Sequence, residues 1–228
     1  MSKARSKTVF LIIAFLLTVF LYPACQTPLA NDLNDADDAL NDPIDTTDSI
    51  ITSDTPEIYS GEQQELLNRA NSILPYLEKK EFREVAQYVH VNKGVTFSPY
   101  AYIEENAVNF TAAKLKALKL TDKFIWSTAT PSGVPFNESI SNYFEGCVYN
   151  RDYIQAPQVS IDKLTTHGGA LSNIEKVFPE AHFVEYYFPA TEIEGEGLGL
   201  DWAILRLVFE NVDGQWMLVA IINDTWVP

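Results

Sequence analysis

Apolar residues recur every three or four positions through the first part of the folded region, as they do along one face of a helix. Between Glu62 and Lys79 they form a single stripe, which consists of Leu66, Leu67, Ala70, Ile73, Leu74 and Leu77. This stripe predicts a helix that Pro75 kinks or ends. A second stripe predicts a short helix that stops near the Asn-Lys-Gly sequence at 92–94, and its members are Phe82, Val85, Ala86 and Val89.

The middle of the chain alternates between short elements. A strand is predicted around 107–110, a third helix over 112–119 with Thr111 as its cap, and a further strand at 123–128. Asn137 is expected to cap a fourth helix, whose apolar positions are Ile140, Tyr143, Phe144, Cys147 and Val148. Ser172 begins a last short helix that runs to Phe178.

The C-terminal third contains three β-rich runs, at 183–188, 202–210 and 216–226. Asp213-Gly214 between the last two favours a two-residue hairpin turn, because both residue types accept the positive φ angles of such turns. Helices that precede a series of hairpin-connected strands are typical of an α+β fold. We therefore expect N-terminal helices packed on one face of a curved antiparallel sheet, with a C-terminal β-meander.

The hairpin turn also predicts a strand register, with Val212 opposite Gln215. One side of the hairpin is then wholly apolar, with Leu205, Leu207 and Phe209 facing Ile222, Ala220 and Leu218. The other side is mixed, with Trp202, Ile204, Arg206 and Val208 facing Thr225, Asn223, Ile221 and Val219. Apolar walls around a few polar groups are typical of a ligand pocket.

If the 183–188 strand pairs antiparallel with the strand that begins at 202, Glu185 falls beside Arg206 on the mixed side. Our hypothesis is that Glu185, Arg206 and Asn223 form the polar centre of a ligand-binding cavity. Trp202 and Tyr187 would be its walls. The alternative is a cross-strand ion pair on a solvated face, which contributes little to stability.

The segment before the folded region has the features of an export signal. Three basic residues precede an apolar run of 14 residues, Val9–Tyr22, and the small residue Ala24 follows. The run is shorter than the roughly 17 to 25 residues that a membrane-spanning helix needs. We therefore expect residues 1–25 to be a signal peptide.

Tyr22-Pro23-Ala24-Cys25 resembles the lipobox of bacterial lipoproteins, in which a small residue precedes a cysteine linked to diacylglycerol. Tyr22 stands where Leu is usual, and Pro23 where Ala or Ser is usual. The resemblance implies that Cys25 is lipidated and that the protein is anchored in the cell envelope, on the exported side of a membrane. Secretion after an ordinary signal-peptidase cut and retention as an uncleaved anchor are the alternatives.

Residues 26–60 contain nine acidic residues and no Lys or Arg, and their apolar residues show no periodicity. This composition predicts a disordered acidic tether, followed by a single domain at 61–228. The domain has 22 acidic and 13 basic residues, a net charge of −9. Such a charge argues against a nucleic-acid partner and against general electrostatic adhesion to anionic lipid.

Cysteine and histidine usage indicates neither a metal site nor a reactive thiol. Cys147 lies in an apolar helical pattern, which predicts a buried thiol, and it has no disulfide partner if Cys25 is lipidated. His90, His167 and His182 lack metal-ligand spacing, and the sequence has no Gly-x-Ser-x-Gly elbow. We expect no metal and no cofactor.

Two N-terminal helices, a third after a short strand and a terminal hairpin reading Asp213-Gly214-Gln215-Trp216 resemble the nuclear transport factor two-like superfamily. The stretches 183–188 and 201–209 also resemble domains of uncharacterised bacterial lipoproteins. The resemblance covers 61–228 and implies a cone-shaped α+β domain, in which 131–179 is an insertion relative to the compact form. Members include ketosteroid-isomerase-like enzymes and non-catalytic binding domains, so the fold does not decide the function.

The function that we favour is a membrane-tethered, non-catalytic domain that binds a small ligand or an envelope protein. The first alternative is an isomerase- or cyclase-like enzyme. In that enzyme Asp201 or Asp224, buried against Trp226 or Tyr186, would have a raised pKa and act as a general base. The simpler interpretation of both carboxylates is that they end strands.

The second alternative is a structural dimerisation domain. The mixed side of the sheet would then be the interface of a homodimer, with Trp202, Ile204 and Tyr187 as its anchors.

Overall fold

The computed structural model describes residues 59–130, 132–165, 171–193 and 197–225. The predicted signal peptide, Cys25 and nearly all of the tether lie outside the described residues. Helix α1 (Gly61–Glu78) begins at a capping box, in which the Ser60 hydroxyl accepts from the Gln63 backbone N–H and the Gln63 side chain accepts from the Ser60 N–H. The predicted apolar stripe is buried at Leu66, Ala70, Ile73, Leu74 and Leu77. Pro75 does not end the helix, which continues to Glu78.

The remaining helices are short: α2 (Phe82–Val85), α3 (Ala112–Ala117), α4 (Ile140–Tyr143) and α5 (Ile174–Val177). A π-helical turn at Phe144–Val148 continues α4, and a 3-10 turn spans Tyr153–Gln155. Thr111 caps α3 as predicted, since its side chain accepts a hydrogen bond from the Lys114 N–H.

Six strands form the main sheet, in the order β2-β1-β10-β9-β6-β5. They are β1 (Val95–Ser98), β2 (Val108–Phe110), β5 (Gln158–Ile161), β6 (His182–Phe188), β9 (Ala203–Val212) and β10 (Gln215–Thr225). Strands β3 (Lys123–Ser127) and β4 (Phe136–Ser139) form a separate hairpin, as do β7 (Glu192–Ile193) and β8 (Gly197–Leu198). The α+β class is confirmed. The sheet is mixed rather than antiparallel, because β1 runs parallel to β10.

Several predicted helix boundaries were wrong. Helix α3 ends at Ala117 rather than at 119, and α5 begins at Ile174 rather than at Ser172. Ser139 rather than Asn137 caps α4, because Asn137 belongs to β4. Helix α2 ends at Val85 rather than near 92–94, because Val89 forms a parallel bridge with Leu218 instead of continuing the helix.

Strands β9 and β10 form the predicted hairpin. Asp213 and Gly214 have φ angles of 51° and 82°, which fit the two-residue turn that the sequence favours. The pairing follows the predicted register from the turn as far as Leu218, which faces Phe209. A β-bulge between Leu218 and Ala220 then shifts the register by one residue.

The bulge corrects the predicted faces of β10. Arg206 faces Ile222, and Leu205 faces Asn223. Since alternate residues of a strand point to opposite faces, Asn223 moves to the side of Leu205, away from Arg206. The predicted pairing of Leu205 with Ile222 was therefore wrong.

The main sheet carries a hydrophobic core on each face. On the helix face, buried residues of α1 cluster with Val184, Tyr186, Leu205, Leu207, Phe209 and Ile221. On the opposite face, which we call the second face, Phe183, Val208, Ala220 and Ile222 cluster with Ile103, Ile174 and Phe178. The chain itself therefore covers part of the face that was predicted to be mixed.

Two loop features have clear physical causes. Gly94 has a φ of 71°, and a Cβ there would lie 2.7 Å from the Phe110 carbonyl oxygen, so the site requires glycine. The Glu104 carboxylate accepts hydrogen bonds from Ser127, Thr128 and the Ala129 N–H. Although partial burial acts to raise the pKa of Glu104, these hydrogen bonds hold that pKa below its usual value.

Candidate functional site

Glu185 on β6 lies directly opposite Arg206 on β9, as the sequence predicted. Arg206 Nε donates to Glu185 Oε2 at 2.7 Å, and each residue is only 1% exposed. The pair is thus a cross-strand ion pair, but it is buried rather than solvated. A buried pair of this kind strongly penalises removal of either partner, because the other is left as an uncompensated charge.

Asp224 on β10, rather than Asn223, completes this site. Arg206 donates to Asp224 Oδ2 from Nη1 at 3.3 Å and from Nη2 at 3.4 Å. Asn223 lies on the helix face, where its Nδ2 donates to the Ile204 carbonyl at 3.4 Å. We call Glu185, Arg206 and Asp224 the charge cluster.

The backbone of Thr165 closes the charge cluster. Its N–H donates to both Glu185 carboxylate oxygens, at 3.0 and 3.2 Å, and its carbonyl accepts from Arg206 Nη2 at 2.9 Å. All three nitrogens of the guanidinium group therefore bond within the protein. These hydrogen bonds hold the chain at Thr165 against the sheet, so the charge cluster has a structural role.

Of the two predicted pocket walls, Tyr187 lies two residues after Glu185 on β6 and therefore on the same face as the cluster. Tyr187 faces Ile204 across the strands and is half-buried, and burial together with the charge of Glu185 raises the pKa of its hydroxyl. Trp202 is 9% exposed. Three cavities lined by described residues lie elsewhere. Ligand binding at Glu185, Tyr187, Trp202, Arg206 and Asn223 stays a prediction.

The two candidate catalytic carboxylates lie in different environments. Asp201 is exposed, and its carboxylate accepts from the Thr191 side chain at 2.6 Å and from the Thr191 N–H at 2.8 Å. These hydrogen bonds lower the pKa of Asp201, whereas a general base at neutral pH requires a raised one. Asp224 is 5% exposed and bonded to Arg206, and Trp226 lies outside the described residues.

Other chemistry is sparse among the described residues. Cys147, predicted to be buried, is half-buried, and the desolvation of its thiol raises the pKa to about 12. The described part of the chain contains no cluster of three or more His, Cys, Asp or Glu side chains placed to hold a metal ion. Within the same part, no helix is both long and apolar enough to cross a membrane.

A groove that the sequence analysis missed lies between α1 and the β5–β6 edge of the main sheet. We call it the α1 groove. It encloses about 340 Å³ and is lined by Leu67, Asn71, Leu74, Pro75, Tyr153, Ile154, Val159 and Tyr186. The sequence feature that could have indicated this groove is Asn71, a polar residue one turn after Leu67 and beside the apolar stripe of α1.

One polar pair lies in the wall of the α1 groove. The Tyr186 hydroxyl donates to Asn71 Oδ1 at 2.8 Å, which orients the amide. Within the described part of the chain, Asn71 Nδ2 has no hydrogen-bond partner, so it can donate to a ligand. Mostly apolar walls with a few oriented polar groups, at a volume above about 300 Å³, are typical of small-molecule sites.

No family model matches the sequence, and no curated protein sequence is similar to it. Among solved structures, Aln2 from a Streptomyces species is 11% identical, over 74% of this chain and 94% of that one, with a TM-score of 0.34. A putative calcium/calmodulin dependent protein kinase II association domain from Xanthomonas campestris is 13% identical, over 75% and 89%, with a TM-score of 0.32.

A DUF4783 family protein from Bacteroides ovatus is also similar. It is 10% identical, over 68% of this chain and 94% of that one, with a TM-score of 0.29. Similarity at this level assigns neither a family nor a function.

Proposed function

We propose that this protein is an exported, lipid-anchored and non-catalytic binding domain whose small ligand occupies the α1 groove. We further propose that the domain belongs to the nuclear transport factor two-like class. The order of its elements supports that class: two N-terminal helices, a third helix after a short strand, and a long terminal hairpin.

The observation that carries the proposal is the Asn71–Tyr186 pair in an otherwise mostly apolar groove. Because Asn71 is held by its oxygen, the ligand group that meets Nδ2 is a hydrogen-bond acceptor. Leu67, Leu74 and Val159 would pack against an apolar body. The ligand is therefore a neutral, mainly apolar molecule with one acceptor group.

The alternatives have weaker support. For the isomerase-like enzyme, Asp201 has a lowered pKa and Asp224 is paired with Arg206. For the structural homodimer, Ile204 is fully buried within the chain and cannot serve as an anchor. An envelope protein in place of the small ligand would use the same groove, and nucleic acid is not expected as a partner.

The binding test uses 2-naphthol, a neutral fluorescent molecule with an oxygen acceptor, and the purified full-length protein. Leu67→Trp fills the α1 groove, and Leu120→Trp adds the same ring at a site that is 46% exposed. We expect saturable binding to the wild type, at least about tenfold weaker binding to Leu67→Trp, and unchanged binding to Leu120→Trp. Equal binding by all three proteins would contradict the proposal.

The anchoring test is the intact mass of the membrane-extracted protein. We expect a chain that begins at Cys25 and carries diacylglycerol, so that it stays with a membrane of the cell envelope. Cys25→Ser should abolish the modification and release the protein. An unmodified wild-type chain in soluble form would mean secretion instead.

A further inference from the structure

A second groove lies at the C-terminal end of α1, where α2 and α3 meet it. We call it the basic groove. It encloses about 520 Å³ and carries three cationic side chains, Lys80, Arg83 and Lys116, against two carboxylates, Glu81 and Glu84. The lining of the groove thus has one more cation than carboxylates, although Lys80 is also paired with Glu145 outside the lining.

Two of its cations are exposed and available. Arg83 and Lys116 lie on α2 and α3, and within the described part of the chain neither forms a hydrogen bond or an ion pair. These two cations can therefore bind an anion directly, by charge-assisted hydrogen bonds.

The floor of the basic groove is apolar. It consists of Tyr76, Phe82 and Leu118, of which Phe82 is 8% exposed and the other two are half-buried. A free inorganic anion makes no use of such a floor, whereas the alkyl chain of an amphiphile buries apolar area on it. The floor and the cations together fit an anionic head on an apolar chain.

Lys80, the third cation of the groove, has a left-handed backbone conformation, which is unfavourable for a residue other than glycine. It is the residue after the C-cap of α1, with a φ of 55°, and the ending has the two hydrogen bonds of a Schellman motif. These run from the Lys80 N–H to Leu77 O at 3.1 Å and from the Glu81 N–H to Tyr76 O at 2.8 Å. Glycine suits this position better than lysine.

The contacts of the lysine side chain offset little of that strain energy. Lys80 Nζ lies 3.2 Å from Glu145 Oε1, but the Glu145 side chain is 62% exposed, and an exposed pair of this kind contributes little stability. Lys80 lines the basic groove, where it can bind an anion together with Arg83 and Lys116.

We propose that the basic groove binds the anionic headgroup of an amphiphile, with its alkyl chain on Tyr76, Phe82 and Leu118. The site is independent of the α1 groove. It is a local site, since the negative charge of the whole domain opposes general adhesion to anionic surfaces.

The test compares octyl phosphate, inorganic phosphate and 1-octanol on the full-length protein by titration calorimetry. Octyl phosphate should bind at least about tenfold more tightly than either of the other two, and added salt should weaken its binding. Equal binding of inorganic phosphate, or of 1-octanol, would overturn the proposal.

Matched variants locate the site. Arg83→Gln/Lys116→Gln should weaken octyl phosphate binding by about tenfold or more. The control, Arg151→Gln/Lys176→Gln, removes one exposed Arg and one exposed Lys elsewhere and should bind as the wild type does. An equal loss in both double variants would show a general charge effect and overturn the site.

Lys80→Gly separates binding from folding. It should raise the melting temperature, because it relieves the left-handed strain, and at the same time weaken octyl phosphate binding. Unchanged binding by this variant would remove Lys80 from the site. A lower melting temperature would contradict the strain argument.

Vesicles identify the source of the headgroup. Phosphatidylcholine vesicles with and without phosphatidylglycerol are sedimented with the Cys25→Ser protein and its Arg83→Gln/Lys116→Gln derivative. Co-sedimentation that needs phosphatidylglycerol and both cations assigns the site to a bilayer lipid. Octyl phosphate binding without any co-sedimentation assigns it to a free amphiphile.

Discussion

Replacing Arg206 with methionine should lower the free energy of unfolding by about 3–5 kcal/mol. The variant loses hydrogen bonds of 2.7 Å to Glu185, 2.9 Å to Thr165 and 3.3 Å to Asp224. It also removes the Arg206 charge from beside Glu185 and Asp224, whose carboxylates are 1% and 5% exposed. Methionine fills most of the vacated volume, so the loss reports the charges rather than a cavity.

The assay is urea unfolding at pH 7.5, followed by tryptophan fluorescence. For a domain of this size the loss corresponds to a melting temperature lower by about 6–20 °C. Arg151→Met is the control, since the Arg151 guanidinium is exposed and donates only to backbone carbonyls. It should cost less than about 1 kcal/mol. A loss below that value for Arg206→Met would refute the reasoning.

A double-mutant cycle with Glu185→Leu makes the test sharper. Arg206→Met removes the cation of the Glu185–Arg206 pair, whereas Glu185→Leu removes its anion and leaves Arg206 bonded to Asp224. The double variant removes both members of the pair. The double variant should therefore be less destabilised than the sum of the singles, by about 0.5–3 kcal/mol. Additive losses would show that the two side chains do not stabilise each other.

Three further predictions concern single side chains. Gly94→Ala should cost more than about 1–2 kcal/mol of stability, because alanine there is left-handed and its Cβ meets the backbone. Gly61→Ala, in open space in α1, should be neutral or stabilising by up to ~1 kcal/mol. Equal effects of the two substitutions in urea unfolding would contradict this. Glu104→Gln should cost about 1–2 kcal/mol at pH 7. The folded-state pKa of Glu104 is lowered, so its stabilisation is present above the ordinary carboxyl pKa and is lost as the pH falls through the lowered value. The free energies of unfolding of the wild type and Glu104→Gln should therefore converge at low pH. The control, Glu105→Gln, should match the wild type at every pH. Cys147, in the Cys25→Ser protein at pH 8, should react with iodoacetamide only after unfolding, since a pKa of about 12 leaves almost no thiolate; rapid reaction of the folded protein would contradict its burial.

The sequence predicted what depends on local periodicity. The apolar stripe of α1 and the Thr111 cap are local patterns, and the two residues Asp213 and Gly214 are enough to predict the hairpin turn. The pairing of Glu185 with Arg206 followed from simple alternation along two strands, with no irregularity between them. These elements require no knowledge of the rest of the chain.

The misses depend on interactions between distant parts of the chain or on irregular backbone. No local pattern marks the bulge between Leu218 and Ala220, yet it exchanges Asn223 for Asp224 beside Arg206. Strand β1 exists because it pairs in parallel with β10, far along the sequence. The α1 groove joins Asn71 to Tyr186 across the helix–sheet interface, a contact that periodicity cannot reveal.

The most direct test of the proposed function is a 2-naphthol titration of the full-length protein, observed through the NMR signals of the Asn71 side-chain amide. The account predicts a saturable shift of these signals, with the affinity found by fluorescence, and its loss in Leu67→Trp. No change at Asn71 while the ligand binds, or shifts confined to the charge cluster around Arg206, would contradict binding in the α1 groove.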